Sequence, residues 1–113
     1  MNNKFKGRKL EEAVAAGLRE AFPQLDWIRP TKASGGGEHN TELGDVICPF
    51  AVIECKNHNK KDITFSMNTW LKLCNEIPMN STKIPLYITR YQNKEDFVMM
   101  KFSDFIQLLK EKK

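Results

Sequence analysis

From Gly44 to Lys56 the chain reads GDVICPFAVIECK, and this stretch decides the fold. Two short apolar runs flank a central Cys-Pro pair, which predicts two antiparallel strands joined by a tight reversal. Asp45 opens the first run, and the triplet Glu54-Cys55-Lys56 closes the second. Charged side chains beside a buried strand are costly unless they are paired or bind a metal. The open end of this hairpin is therefore the first candidate for a functional site.

The spacing of the charged residues indicates what such a site can do. Side chains two apart on a strand share a face, so Glu54 and Lys56 point to one side and Cys55 to the other. A tight hairpin also brings Asp45 close to Glu54. Two carboxylates and the backbone carbonyl of Cys55 are oxygen ligands of the kind that Mg²⁺ prefers. Lys56 can orient a metal-bound hydroxide or stabilise charge on a phosphate. The hairpin predicts a metal-dependent phosphodiesterase site; the alternative is an ordinary surface ion pair.

The first helix can supply a third carboxylate. Apolar residues at helical spacing predict an amphipathic helix over residues 8–22, with Val14 near the centre of its apolar face. At about 100° per residue, Glu11 lies about 60° from that centre and Glu12 about 160° from it. We therefore expect Glu11 to border the core and reach the site, and Glu12 to face solvent. The alternative is that both are surface residues with partners along the helix.

Two polar segments beside the hairpin have the composition of phosphate-contacting loops. Residues 30–43 contain a Ser-Gly-Gly-Gly run, and glycines allow a phosphate backbone to approach closely. A basic cluster follows Lys56. In both segments the alternative is a solvated surface loop. The side chains expected to contact a phosphate backbone are Arg29, Lys32, Ser34, His58, Lys60 and Lys61.

The rest of the chain predicts a single mixed α/β domain over residues 1–113, in which a central mixed sheet is flanked by helices. No repeat or linker divides it. The expected element order is αβββαββα. Besides the first helix and the hairpin, we expect a strand over 25–29, a helix over 67–76 capped by Ser66, strands over 84–91 and 96–102, and a final helix that Ser103 caps and that extends to residue 109.

The composition of the chain indicates which kinds of partner it suits and which classes of protein it excludes. The 113 residues carry a formal net charge of +4, which suits a polyanionic partner, and their hydrophobic content of 41% excludes a disordered chain. Three cysteines without Cys-x-x-Cys spacing predict reduced thiols and a cytoplasmic location, not a zinc site. No apolar segment approaches the roughly 20 residues that a membrane span needs, so no membrane partner is expected.

Asp45 followed by Glu54-Cys55-Lys56 resembles the motif of the PD-(D/E)XK nuclease superfamily. Further pieces occur in the same order as in its small Holliday-junction-resolvase-like branch, which includes archaeal resolvases and phage endonucleases. Gly44 departs from this pattern, since the branch has a proline before the aspartate; we expect the change to be harmless. The resembling pieces are Lys6-Gly7 before Glu11, Arg29 with Ser34-Gly35, and the strand that begins Ile84-Pro85-Leu86.

The resemblance implies a restriction-endonuclease-like fold, Mg²⁺ or Mn²⁺ as cofactor, and hydrolysis of DNA phosphodiester bonds. By this likeness Glu11, Asp45 and Glu54 bind the metal, and Lys56 assists the nucleophile. It also implies a homodimer that cuts branched DNA such as a four-way junction, because two nicks need two sites. A phage-encoded enzyme of this kind would act in the host cytoplasm. The alternatives are a nicking or restriction-type nuclease on duplex DNA and a DNA-binding module without chemistry.

Overall fold

A computed structural model describes residues 3–31, 43–58, 62–92 and 94–112, with side chains from residue 8 onward except that of His58. The five strands form one sheet in the order β1-β2-β3-β4-β5. β3 and β4 are parallel, and the other neighbouring pairs are antiparallel. The elements are α1 (Asn3–Ala21), β1 (Arg29–Pro30), β2 (Val46–Ile47), β3 (Ala51–His58), α2 (Met67–Glu76), β4 (Ile84–Tyr91), β5 (Glu95–Met99) and α3 (Phe102–Glu111).

The mixed sheet with its three helices is an α/β restriction-endonuclease-like fold, as the sequence predicts. β2 and β3 form the expected hairpin, in which Val46 pairs with Ile53 and Ile47 with Val52. The thiol of Cys48 donates to the carbonyl oxygen of Ala51 at 3.3 Å, across the turn. The tight reversal at the Cys-Pro pair is therefore confirmed.

β3 is buried on both faces, which explains its nearly continuous apolar sequence. On one face Ile53 and Cys55 join a core that includes Leu10 and Ala15 of α1. Burial raises the pKa of the Cys55 thiol, so this cysteine stays protonated and packs as an apolar residue. The opposite face, which includes fully buried Val52, lies toward α2.

α2 connects the parallel strands β3 and β4 and packs against both. The Ser66 hydroxyl accepts a hydrogen bond from the Thr69 backbone N–H at 3.2 Å, which confirms the predicted cap. Leu73 is 1% exposed and fixes the helix on the sheet. The Ile77 N–H donates to the carbonyl oxygen of Cys74 where the helix ends, just before Pro78.

Two arginines of α1 hold the chain near β1. The Arg19 guanidinium donates to the carbonyl oxygen of Ile28 at 2.6 Å, and that of Arg8 donates to the carbonyl oxygen of Thr31 at 3.1 Å. Thr31 is tied in turn to the start of the hairpin. Its N–H donates to the carbonyl oxygen of Asp45 at 3.0 Å and its hydroxyl to that of Gly44 at 3.1 Å. The residues on either side of segment 32–42 are therefore joined to each other.

Two predicted strands differ from the observed ones. The strand expected over 25–29 is wrong, because the Leu25 and Ile28 N–H groups bond carbonyl oxygens three residues earlier and fold this segment into turns. Only Arg29 and Pro30 pair with β2. The strand expected over 96–102 begins and ends earlier, since its pairing with β4 extends from Glu95 to Met99.

The predicted starts of α1 and α3 also differ from the observed ones. α1 begins at Asn3, before the predicted residue 8. α3 begins at Phe102, so Ser103 lies inside the helix and does not cap it. Lys101 occupies the N-cap position without a side-chain hydrogen bond. In the described residues, no helix is long and apolar enough to cross a membrane.

β5 and α3, here called the outer layer, leave much apolar surface uncovered. A groove of about 600 Å³ separates α3 from the sheet, and Phe50, Leu86 and Leu108 are among the residues that line it. No residue of α3 is buried. The large apolar side chains of the outer layer that remain exposed are Phe97, Val98, Met99, Phe102, Phe105, Leu108 and Leu109.

Candidate active site

The charged end of the hairpin opens into a pocket of about 280 Å³ between β3 and α2. Asp45, Glu54 and Lys56, the three residues of the sequence motif, all line it. The structure therefore brings these three predicted site residues together. The complete lining is Gly44, Asp45, Glu54, Lys56, Thr69, Lys72, Leu73 and Glu76.

Asp45 is held in place by the backbone of β3. Its Oδ2 accepts a hydrogen bond from the Cys55 N–H at 2.8 Å, and its own N–H donates to the carbonyl oxygen of Ile53 at 2.6 Å. Burial raises the pKa of Asp45, while the Cys55 N–H and the Lys56 ammonium lower it. The aspartate thus has one oxygen anchored to the strand, while Oδ1 accepts no hydrogen bond from the described residues.

The residue before Asp45 must be glycine in this backbone. Gly44 has φ +73°, a value that proline cannot adopt because its ring fixes φ near −65°. A Cβ at this position would lie 2.6 Å from the carbonyl oxygen of Ile53 and 2.9 Å from its nitrogen. The glycine that the sequence has in place of the branch's proline thus adopts a conformation closed to proline, and it lets the chain pass close to β3.

Glu54 and Lys56 face each other along the strand. The Lys56 ammonium lies 3.7 Å from Glu54 Oε2. The Lys56 side chain is 47% exposed and the Glu54 side chain 20% exposed. Burial raises the pKa of Glu54 to about 7; repulsion from Asp45 and Glu76 adds to this effect and Lys56 opposes it. A half-buried carboxylate with a pKa near neutrality is typical of functional sites.

Glu11 lies where the helical wheel places it. Its side chain is 18% exposed, whereas Glu12 is exposed. Arg8 lies 3.7 Å from Glu11 Oε1. Burial raises the pKa of Glu11 to about 7, and repulsion from Asp45 and, more weakly, from Glu54 contributes. Glu11 is thus within electrostatic reach of both carboxylates, although it does not line the pocket.

The donor set suits a hard divalent cation in its chemistry. Glu11, Asp45 and Glu54 offer carboxylate oxygens, and repulsion from Asp45 raises the pKa of both glutamates, which a cation would relieve. In the described ranges, however, no three His, Cys, Asp or Glu side chains are grouped closely enough to surround an ion. Binding would therefore require a carboxylate side chain to change its rotamer.

The predicted DNA-contacting residues are only partly described. Arg29 is exposed on β1, and its guanidinium donates to the carbonyl oxygen of Pro30 at 3.1 Å. His58 ends β3, but its side chain lies outside the description. The remaining predicted contacts, which also lie outside the described residues, are Lys32, Ser34, Lys60 and Lys61.

Sequence reasoning missed the wall that α2 contributes. Thr69, Lys72, Leu73 and Glu76 occupy positions i, i+3, i+4 and i+7, so they form one stripe along the helix. This spacing was visible in the sequence. What the sequence did not reveal is that the stripe faces the Glu54 side of β3, because that depends on how α2 crosses between the two parallel strands.

Comparison with known proteins agrees with the motif. A family model described as "Phage putative PDDEXK endonuclease" matches residues 2–113, a range that contains the hairpin and its three charged residues. No curated protein and no solved structure matches the chain. The family description indicates a nuclease that acts on DNA. The chain belongs to this phage PDDEXK endonuclease family, and thus to the PD-(D/E)XK nucleases that its motif resembles.

Proposed function

We propose that the protein is a divalent-metal-dependent endonuclease that hydrolyses DNA phosphodiester bonds in the pocket between the hairpin and α2. One observation carries this proposal: Asp45, Glu54 and Lys56 line the same pocket. Nucleophilic attack on a phosphodiester needs an activated water and compensation of phosphate charge. Two carboxylates and an ammonium in one concave site provide the groups for both tasks.

In this proposal Glu11, Asp45, Glu54 and the backbone carbonyl of Cys55 hold Mg²⁺ or Mn²⁺. When bound, the cation supplies a water of lowered pKa and offsets charge on the phosphate. Asp45 contributes a ligand oxygen of fixed orientation, because Oδ2 is already bonded to the Cys55 N–H. The Lys56 ammonium orients the attacking water and donates to the phosphate oxygens as negative charge builds on them.

Conservative substitutions test the chemistry. Asp45→Asn or Glu54→Gln should slow Mg²⁺-dependent cleavage roughly a thousandfold, while DNA binding is kept or strengthened because negative charge beside the phosphate is lost. Glu11→Gln should also impair cleavage, and its neighbour Glu12→Gln serves as the exposed control. Absence of cleavage by the wild-type protein on junction, nicked, duplex and single-stranded DNA, with either Mg²⁺ or Mn²⁺, would instead support a binding module without chemistry.

We further propose that the enzyme acts as a homodimer on branched DNA, with the outer layer as the dimer interface. Soluble monomers rarely expose apolar patches beyond a few hundred Å². A standard interface covers about 800 Å² on each partner, and the seven large apolar side chains of the outer layer, each 36–76% exposed, contribute a large share of such an area. A second copy is a suitable partner because two sites related by a two-fold axis can nick a junction symmetrically.

Two measurements test this arrangement. Phe105→Asp in α3 should convert a dimer into a monomer in analytical ultracentrifugation, while Leu71→Asp, at an exposed apolar position of α2, should leave the mass unchanged. The monomer should lose paired cuts on a four-way junction more than single nicks. Equal cleavage rates on junction and linear duplex would favour a nicking or restriction-type nuclease. A wild-type protein that sediments as a monomer at all concentrations would contradict the dimer.

A further inference from the structure

One wall of the pocket carries a cation that the motif does not include. Lys72 lies on the α2 stripe beside buried Leu73, which is 1% exposed and fixes this part of the helix against the sheet. Lys72 itself is exposed and lines the pocket, on a part of the helix that Leu73 anchors. Thr69, one turn earlier, lines the same wall.

The charge balance of the pocket explains why a second cation matters there. Asp45, Glu54 and Glu76 contribute three carboxylates to the lining, and only two lysines oppose them. Lys56 is already engaged by Glu54 at 3.7 Å. Before the divalent cation of the proposed function binds, a DNA phosphate that enters this pocket therefore meets an excess of negative charge, which a cation at the pocket mouth offsets.

Lys72 is the lining cation that remains available. Within the described part of the chain it forms no ion pair or hydrogen bond, even with Glu76 one turn further along the same helix. An ammonium on a long flexible side chain at the edge of a concave site is well suited to a mobile phosphate backbone.

We propose that Lys72, assisted by the Thr69 hydroxyl, binds a backbone phosphate of the DNA at the pocket mouth. The assignment rests on the proposed function for the identity of the ligand. It makes α2 the element that positions the substrate against the hairpin, while the hairpin carries the chemistry. Lys72 is a binding residue in this scheme and does not touch the attacking water.

The salt dependence of DNA binding in EDTA tests the assignment without cleavage. For the wild-type protein and a short duplex, log K should fall linearly with log salt concentration. Lys72→Ala should weaken binding about tenfold at low salt and reduce the slope by about 0.9, the value for one lost phosphate contact. Lys72→Arg should retain both affinity and slope. Lys83→Ala is the control, because Lys83 precedes β4 and is absent from the pocket lining.

Steady-state cleavage gives a second readout. Lys72→Ala should raise KM with little change in kcat, because a ground-state contact is lost. A Lys72→Ala protein with wild-type affinity and slope would overturn the inference and leave the proposed nuclease intact. A wild-type protein that never cleaves DNA, but in which Lys72→Ala lowers the slope, would overturn the nuclease and keep the phosphate contact. Failure of the wild-type protein to bind DNA would overturn both.

Discussion

α2 and α3 are both ten-residue amphipathic helices, yet they are used differently. α2 buries Leu73 against the sheet and presents a polar stripe to the candidate active site. α3 buries none of its residues and leaves Phe102, Phe105 and Leu108 exposed above an open groove. An amphipathic pattern shows that a helix needs an apolar partner, but the partner itself depends on the fold around it. The sheet fills that role for α2, and we propose that a second copy does so for α3.

The largest expected difference between the two helices is in stability. Leu73→Ala should lower the free energy of unfolding by about 2–5 kcal/mol, because it opens a cavity at a fully buried site. Leu108→Ala, at a position that is 47% exposed, should cost no more than about 1 kcal/mol in the monomer. Urea denaturation at low protein concentration measures both. Equal costs would show that α3 is packed as tightly as α2.

Two glycine-to-alanine substitutions should change stability in opposite directions, because one glycine is closely packed against β3 and the other is not. Gly44→Ala should destabilise the protein by about 2 kcal/mol or more, since the residue would be strained at positive φ and its Cβ would clash with β3. In α1, Gly17→Ala meets nothing within 4 Å and should stabilise the protein by about 0.5–1 kcal/mol. Thermal denaturation of the two variants checks the opposite signs; a neutral Gly44→Ala would contradict the close approach.

The effect of pH should come largely from the carboxylates around the hairpin. Glu11 and Glu54 have pKa values raised from 4.5 to about 7, so between these values the folded protein binds more protons than the unfolded chain. The metal-free protein should therefore be most stable below pH 4.5 with respect to these two groups, and lose that contribution as pH rises to 7. Melting temperatures in EDTA across this range test the sign.

Two controls separate this effect from other titrations. The double variant Glu11→Gln, Glu54→Gln should show a much flatter dependence between pH 4.5 and 7. In the wild-type protein, Mg²⁺ or Mn²⁺ should raise the melting temperature more at pH 8 than at pH 5, because only ionised carboxylates bind the cation well. Stability that rises with pH in the metal-free wild type, but not in the double variant, would contradict the raised pKa values.

A pair of threonines gives a small expected effect of opposite sign at the two positions. Thr89, on the β4 face toward α2, is 1% exposed, and its hydroxyl oxygen has no hydrogen-bond partner in the described structure. Thr89→Val should stabilise the protein by about 1 kcal/mol, because it removes a buried polar group that lacks a partner. Thr31→Val should cost about the same amount, since the Thr31 hydroxyl donates to the carbonyl oxygen of Gly44. Loss of stability in Thr89→Val would indicate that its hydroxyl is satisfied.

The parts of the fold that sequence predicted well depend on short-range physics. The hairpin follows from two apolar runs around a Cys-Pro break, and the start of α2 follows from a serine placed where its hydroxyl reaches the Thr69 N–H. The contrast between Glu11 and Glu12 follows from helical periodicity alone. In each case neighbours along the chain determine the outcome.

The parts that sequence missed depend on tertiary context. Trp27 and Ile28 have high strand propensity, but local turns and the Arg19 contact to the Ile28 carbonyl oxygen hold this segment outside the sheet. Ser103 is a good capping residue, yet α3 begins before it. The contribution of Lys72 and Glu76 to the pocket requires knowledge of the β3–α2–β4 crossover, which no local pattern contains.

The hydrogen bonds that join Thr31 to Gly44 and Asp45 have a consequence for how the length of the segment between them can vary. The backbone N–H and the hydroxyl of Thr31 already connect the residues on either side of segment 32–42. The Arg8 guanidinium of α1 also donates to the Thr31 carbonyl oxygen. The entropy of closing a flexible loop grows only slowly with its length, by about 0.6 kcal/mol for each doubling. We therefore expect insertions or deletions between these anchors to leave Asp45 in register, so that this segment can change in length without rebuilding the hairpin that carries the candidate site.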